Sequence, residues 1–238
     1  MEWIHNTVKG KRLVECESLE EVATLALDVV HKHCSREFHN SWESIAQASV
    51  NAITEEAFFR NYLWCVYVSG FSARAVTANY SKLLLAHNLV DHSGRFVPSH
   101  AAEPPCKSAV FSIWKNHAKF KAIHSTRLRV GEDWHGFRRT YLDARDPKAI
   151  QNISFMGPAL SRHLARNLGG VQIVKPDVHL RRLAEKFVKE GSDQWWELGL
   201  DRVEILCRRA SESTSRMDGW PLGKVDLLLW YASATLRS

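Results

Sequence analysis

The fold is decided by residues 146–187, which read "DPKAIQNISFMGPALSRHLARNLGGVQIVKPDVHLRRLAEKF". This stretch contains the start and stop signals of three consecutive helices. The Asp-Pro pair at 146–147 is typical of an N-cap followed by the first helical residue, and Pro158 opens a second helix. The paired glycines at 169–170 end that helix, and Asp177 is the natural N-cap of a third, over about 177–190.

The first two of these helices are joined by the short turn "SFMG" at 154–157, so that residues 146–168 predict a helix-hairpin-helix. The N–H groups that begin the second helix have no intrahelical acceptor and lie at the positive end of the helix dipole, which suits a phosphate. A plain αα-hairpin without a ligand is the alternative. If the hairpin binds DNA, the contacts are expected from the turn and the following helix: Met156, Gly157, Pro158 and Arg162.

The rest of the chain predicts helices and no convincing strand. Ser18, Thr54 and Ser72 each precede a run whose apolar residues recur at helical spacing. Further helices are predicted over 107–124, around 134–142, after caps at Asp201 and Glu204, and from about Lys224. We therefore expect an all-α fold, built as one two-lobed domain over residues 1–238. The loop at 99–106 is the candidate boundary between the lobes.

The net charge of +6 is concentrated in the middle of the chain. Residues 107–189 hold seventeen Lys and Arg against six Asp and Glu, whereas both flanking regions are slightly acidic. Such a concentration attracts a polyanion without regard to its sequence. A solvated basic surface without a specific partner is the alternative.

Several classes of protein are disfavoured by composition. No apolar run is long enough to span a membrane, and the first 21 residues turn polar too early for a secretory signal, so we expect a cytoplasmic protein. The five cysteines are scattered without a C-x-x-C pair, which predicts reduced thiols and neither a metal site nor a cofactor. Nothing in the sequence implies a protein partner, and we expect a monomer.

Two motifs together resemble a known family. The hairpin "ISFMGPALSRHLARNLG" at 153–169 is followed by "KPDVHLRRLA" at 175–184. This arrangement resembles the helix-hairpin-helix (HhH-GPD) DNA glycosylase superfamily, in which a hairpin precedes a catalytic aspartate at the head of the next helix. It is most similar to a divergent bacterial branch with an F-x-G-P hairpin and a K-P-D-x-H-L aspartate helix, and "VDLLLWYAS" at 225–233 also resembles that branch. The motifs cover about sixty residues.

The resemblance implies that Asp177 is catalytic. Cleavage of an N-glycosidic bond builds positive charge on the deoxyribose, and a carboxylate beside the sugar stabilises that charge and orients the attacking water. It further implies that Lys175 and His179 bind backbone phosphates. The alternative is that Asp177 only caps its helix, as aspartate does routinely.

Departures from the family pattern bear on the reaction. Bifunctional members, including the 8-oxoguanine glycosylase/lyases, have a lysine two residues past the hairpin glycine, where this chain has Ala159. Without that amine no Schiff-base nucleophile is evident, which predicts a monofunctional enzyme. The hairpin also keeps only the second of the two glycines usual in the superfamily.

A base can be reached only if its nucleotide leaves the stack and a wedge fills the gap. The resemblance puts that wedge near "VSGFSARAV" at 68–76, where Ser69 and Phe71 are candidates. Pocket walls are expected from Trp42 or Trp64, although aromatic residues of this kind are commonly buried in a core.

The leading hypothesis is therefore a monofunctional DNA glycosylase that removes an altered base from duplex DNA of the nucleoid, in base excision repair or against foreign (phage) DNA. Alkylated purines, oxidised guanine, deaminated bases and a bulky modified cytosine all stay open as substrates. One alternative is a non-catalytic helix-hairpin-helix DNA-binding protein. Another is a helical interaction protein whose basic middle binds acidic partners.

Overall fold

The computed structural model describes residues 8–70, 72–189 and 195–236, and their side chains except those of 195–201. Within these ranges the chain is all-helical, which confirms the predicted fold class. None of the described helices is both long and apolar enough to cross a lipid bilayer. The helices are α1 (Leu19–His33), α2 (Ser35–Val50), α3 (Glu55–Val68), α4 (Ala73–Ala86), α5 (Lys107–Ile113), α6 (His117–Glu132), α7 (Trp134–Tyr141), α8 (Pro147–Ile150), α9 (Pro158–Asn167), α10 (Val178–Phe187), α11 (Trp195–Glu212) and α12 (Leu222–Thr235).

The predicted capping residues begin their helices. The hydroxyls of Ser18, Thr54 and Ser72 accept hydrogen bonds from backbone N–H groups in the first turns of α1, α3 and α4. The capping box at Ser18 is only half formed, because the carboxylate of Glu21 accepts from the N–H of Glu17. These local contacts explain why the starts of the three helices could be read from the sequence.

Two predicted helices differ in the structure. The segment 107–124 is split into α5 and α6, because the chain leaves the helix at Trp114 and the side chain of Asn116 caps a new one. Asp201 is not a cap, since it lies inside α11, which begins six residues earlier at Trp195. Aspartate is a weak signal here because its side chain is tolerated within a helix as well as at its start.

The chain forms two compact units. Unit 1 combines the residues up to Val50 with those from Gly169 onward, and unit 2 comprises residues 51–168. The loop at 99–106, considered as a lobe boundary, lies within unit 2. It is held there because the N–H of Ser99 donates to Glu55 Oε1 at 2.7 Å and the Ser99 backbone packs against Gly131 of α6.

The core of unit 1 is built around α12, whose residues are buried on nearly all sides. Helices α1, α2, α10 and α11 all pack on it. The Tyr231 hydroxyl lies 2.7 Å from Ser41 Oγ and joins α12 to α2. Buried apolar side chains supply most of the stability of such a unit.

The core of unit 2 is built around α3, which is apolar almost all round. Eight of the ten side chains from Phe58 to Tyr67 in this helix are buried. The Tyr62 hydroxyl donates to the carbonyl of Ser154 at 2.8 Å. This bond attaches the hairpin turn directly to the central helix.

A close approach within unit 1 supplies a test of its packing. Gly169 has φ +101°, and a Cβ there would lie 2.5 Å from the Cα and N of Ser49. We expect Gly169→Ala to lower the free energy of unfolding by about 3 kcal/mol, because it adds a steric clash to backbone strain. Chemical denaturation followed by circular dichroism measures the change.

Gly219 of the same unit is the matched control. It also has a positive φ, of +71°, but a Cβ there would meet nothing within 4 Å. Gly219→Ala should therefore cost only the left-handed strain, about 1 kcal/mol. Equal losses from the two substitutions would show that the approach of Ser49 is not tight.

Candidate functional site

The hairpin of unit 2 is formed by α8, the turn 151–157 and α9. Asp146 caps α8 through the N–H of Lys148, and α8 ends at Ile150. The turn is closed by backbone bonds, among them one from the N–H of Met156 to the carbonyl of Ile153 at 3.1 Å. Phe155 adopts φ +69°, a conformation uncommon for a non-glycine residue that turns the chain sharply.

The start of α9 is open to an anion. Gly157 is the N-cap and has no side chain, and among the described residues no side chain caps this end. Gly157, Pro158 and Ala159 are all exposed, and the space beside Gly157 is empty to 4 Å. Because Pro158 has no N–H, the N–H groups of Ala159 and Leu160 are the first donors that a ligand meets.

The hairpin residues proposed to contact DNA differ in how far they are exposed. Met156 is buried, at 3% exposed, so its side chain anchors the turn in unit 2 and is not available to a ligand. Gly157 and Pro158 are exposed, and Arg162 is half-buried on α9. Phe155, which the sequence analysis did not select, has 37% of its surface exposed at the tip of the turn.

Lys119 of α6 connects this turn to the end of α3. Its Nζ donates to the backbone carbonyl of Tyr67 at 3.1 Å and to that of Ser69. The same ammonium lies 5.8 Å from the ring centroid of Phe155. Lys119 is only 3% exposed, and burial lowers its pKa to about 8. Nothing in the local sequence indicated this contact, because its partners lie far apart along the chain.

The residues of unit 2 that were predicted to form the wedge or the pocket differ in their burial. Trp64 is buried in the core, where its ring meets that of Tyr80 edge to face at 5.7 Å, so it is not an open pocket wall. Ser69 is half-buried, and its carbonyl already binds Lys119. Phe71 lies outside the described residues.

The charge of the two units differs strongly. Unit 2 has sixteen Lys and Arg against eight Asp and Glu, a net charge of +8, whereas unit 1 has a net charge of −2. The excess therefore belongs to the unit that contains the hairpin. A polyanion is attracted to such a unit over a distance set by the ionic strength.

Asp177 stands at the start of α10 in unit 1 and is half-buried. Its Oδ1 accepts the N–H of His179 at 2.9 Å and that of Leu180 at 3.0 Å. No described residue donates a hydrogen bond to Oδ2. One oxygen of the carboxylate thus fixes the side chain to the helix, and the other accepts no hydrogen bond from the described residues.

The loop that leads to Asp177 is held by the first turns of α12. The N–H of Gly223 donates to the carbonyl of Val171 at 2.9 Å, and a Cβ on Gly223 would approach that oxygen to 2.7 Å. The N–H of Lys175 donates to Oδ2 of Asp226 at 3.0 Å. The N–H of Asp177 then donates to the carbonyl of Lys175 at 2.9 Å.

Asp226 binds the loop that precedes Asp177, a contact that was not predicted from the sequence. It is 1% exposed and lies in α12, within the stretch "VDLLLWYAS". The signal in the sequence was a single acid within an apolar helix. Such an acid is expected to be buried, and a buried carboxylate needs a hydrogen-bonding partner. One partner is the backbone N–H of Lys175, two residues before Asp177.

The remaining predicted residues of unit 1 lie near these elements. Lys175 and His179 are half-buried on either side of Asp177 in the chain. Trp42 of α2 is half-buried, and its ring centroid lies 5.9 Å from Nζ of Lys224. Across the described part of the chain, no cluster of His, Cys, Asp or Glu is suited to a metal ion.

Comparison with known proteins gives a fold. No protein-family model matches the chain, and no curated protein matches it. The crystal structure of the 8-oxoguanine DNA glycosylase of Thermotoga maritima is similar, with a TM-score of 0.59 over 90% of this chain and 96% of that chain. The two sequences are 18% identical. The chain therefore has the all-helical fold of that DNA glycosylase.

Proposed function

We propose that the protein is a monofunctional DNA glycosylase, which hydrolyses the N-glycosidic bond of an altered base turned out of duplex DNA. The observation that carries the proposal is the Asp177 carboxylate, fixed through Oδ1 at the start of α10 with Oδ2 unoccupied by any described donor. The fold shared with a DNA glycosylase supports it. The substrate is altered DNA of the cell or of an invading phage.

The reaction needs a negative charge beside C1′ of the deoxyribose. As the bond between C1′ and the base nitrogen breaks, the electron pair leaves with the base and C1′ becomes positive. Oδ2 of Asp177 stabilises that charge and accepts a hydrogen bond from the water that attacks C1′. The oxygen of the water bonds to C1′, its proton is released, and an abasic site remains.

The hairpin supplies the binding of the DNA backbone. The exposed N–H groups of Ala159 and Leu160 point along the axis of α9 and bind one phosphate, with Gly157 permitting close approach. The net charge of +8 on unit 2 adds attraction that does not depend on sequence.

The residue two positions past the hairpin glycine supports a monofunctional reaction. Ala159 stands at the position where the bifunctional members have lysine. Lys119 has a lowered pKa, but it is 3% exposed and binds two carbonyls, so it does not reach a sugar. We assign to Lys119 the positioning of the turn at Phe155.

A non-catalytic DNA-binding protein is the second candidate function. It is favoured by one observation, since Asp177 caps α10 with both bonds on Oδ1 and a cap alone requires no chemistry. The two candidates differ in whether base release occurs, and in whether it depends on the carboxylate.

Asp177→Asn tests the catalytic assignment. The amide oxygen of asparagine can accept the same two bonds, so the free energy of unfolding should change by less than about 1 kcal/mol. Base release should fall by about 10³-fold or more, because the developing positive charge loses its counter-charge. The measurement is single-turnover release from duplexes with a panel of altered bases, followed by hot alkali that cleaves abasic sites.

Wild-type protein is the control in that panel, and binding to an abasic-analogue duplex should be equal for both proteins. Release of no base by the wild type, with DNA binding intact, would favour the non-catalytic candidate. Strand cleavage without alkali would contradict the monofunctional assignment.

Ala159→Asp tests the hairpin. A carboxylate at the second position of α9 suits the helix, so the variant should fold at least as stably as the wild type. It should nevertheless repel a phosphate and weaken duplex binding about 10-fold, with the salt dependence reduced by about one ion. Ala159→Asn is the control for size, and fluorescence anisotropy at several salt concentrations is the measurement. An unchanged affinity of the aspartate variant would exclude this end of α9 as the phosphate site.

Asp226→Ala tests the anchoring of the catalytic loop. Loss of the bond to the N–H of Lys175 should displace Asp177 and lower the single-turnover rate about 10- to 100-fold. Asp226→Asn keeps an oxygen acceptor and should restore most of the rate. Affinity for an abasic-analogue duplex should stay within about threefold of the wild type in both variants, since only the catalytic loop is displaced. Equal rates for the alanine and asparagine variants would show that the hydrogen bond to the loop is not what matters.

A further inference from the structure

Phe155 is an exposed aromatic residue at the tip of the hairpin turn. Four large apolar side chains are exposed in the described part of the chain, namely Val50, Leu128, Phe155 and Val178. Three of them lie within helices, whereas Phe155 lies in the turn 151–157 and is the aromatic member of the set. Single exposed apolar residues are ordinary on a protein surface, so exposure alone assigns Phe155 no role. Its backbone and its surroundings decide.

The backbone at Phe155 favours a different residue. Its φ is +69°, in the left-handed region, where a β-carbon crowds the following carbonyl oxygen and where glycine is free of strain. The ring does not offset this strain by full burial, since 37% of the residue is exposed. The folded chain alone therefore gives little reason for an aromatic residue at this position.

The turn around Phe155 is fixed on both sides. The carbonyl of Ser154 accepts the hydroxyl of buried Tyr62 at 2.8 Å, and Met156 is 3% exposed. The ammonium of Lys119, itself bound to two backbone carbonyls, lies 5.8 Å from the Phe155 ring centroid, where a cation and an aromatic ring attract each other. The ring is therefore presented at a fixed place, so that a ligand has little to order when it binds.

Phe155 stands beside the proposed phosphate site. It precedes the N-cap Gly157 by two residues, and the N–H groups offered to a phosphate are those of Ala159 and Leu160. Every phosphate within a DNA strand is flanked by two deoxyriboses, which present C–H groups. Contacts to phosphate and sugar together fix a protein on the duplex without reading its sequence.

We propose that Phe155 binds DNA through its ring, which packs on the deoxyribose next to the phosphate held at the start of α9. The inference rests on the proposed function and adds a binding residue to it. The contact is apolar, so it differs in kind from the attraction between DNA and the charge of unit 2. It neither reads the altered base nor takes part in the cleavage at Asp177.

The exposed part of the ring limits the size of the effect. A phenylalanine side chain has about 200 Å² of surface, so an exposed fraction of 37% leaves about 70 Å² to be covered. At about 25 cal/mol per Å², full coverage corresponds to roughly 20-fold in affinity. We expect about 10-fold, because association also orders groups of both partners.

The test measures equilibrium binding to a duplex with one tetrahydrofuran abasic analogue, by fluorescence anisotropy at several salt concentrations. The proteins are the wild type, Phe155→Asn, Phe155→Gly, Phe155→Tyr and Leu128→Gln. Asparagine and glycine tolerate a positive φ, so both remove the ring without straining the turn. Leu128 is 56% exposed on α6 of the same unit, so Leu128→Gln controls for the loss of an exposed apolar side chain.

The two variants without a ring should each bind about 10-fold more weakly than the wild type. The factor should be the same at every salt concentration, because no charge is lost. Phe155→Tyr keeps the ring and should bind nearly as tightly as the wild type, and Leu128→Gln should bind as the wild type does.

Three results would overturn the inference. No loss from either variant without a ring would mean that Phe155 does not contact DNA. A loss with a salt dependence reduced by about one ion would mean that the turn had moved and a phosphate contact was lost. Saturating wild-type protein could also raise the fluorescence of 2-aminopurine beside the abasic analogue while Phe155→Gly does not, which would mean that the ring enters the base stack.

Failure of this inference is distinguishable from failure of the proposed function. Base release by the wild type, with unchanged binding by Phe155→Asn and Phe155→Gly, overturns the inference and leaves the glycosylase proposal standing. Weakened binding by these variants, with no base release by the wild type, does the reverse. Thermal unfolding shows whether each variant is folded at the assay temperature, and the second variant without a ring keeps the test decisive if the first is not.

Discussion

The proposed function of this chain depends on how the two oxygens of one carboxylate are used. Oδ1 of Asp177 accepts two backbone N–H groups at the start of α10, and no described group donates to Oδ2. A carboxylate that rotates freely could not hold its negative charge at one position. A carboxylate with both oxygens hydrogen-bonded to the protein would have no oxygen left to contact a substrate. The observed division meets both requirements, because the helix orients the side chain through Oδ1 and leaves Oδ2 without a described donor.

That geometry is maintained from the other end of the chain. Helix α12 holds the loop before Asp177 through the backbone of Gly223 and the side chain of Asp226. A buried acid is costly unless it is hydrogen-bonded, and here one of its bonds fixes the loop that precedes Asp177.

Local features were predictable and distant contacts were not. The caps at Ser18, Thr54 and Asp177 depend on groups two or three residues away, so their helices could be located from the sequence. The burial of Met156 and Trp64 depends on helices remote in the chain, and the sequence alone made both plausible surface contacts. The contacts of residues that join distant elements were missed for the same reason, namely those of Lys119 and Asp226.

The central claim is tested most directly by the structure of a complex. The protein would be crystallised with a duplex that carries its preferred base on a 2′-fluoro sugar, so that the bond is intact. We expect Oδ2 of Asp177, rather than Oδ1, within about 3.5 Å of C1′ of the everted nucleotide, with Oδ1 still bonded to the helix. A sugar that lies remote from this carboxylate, or an Oδ2 taken up by a protein donor in the complex, would contradict the account.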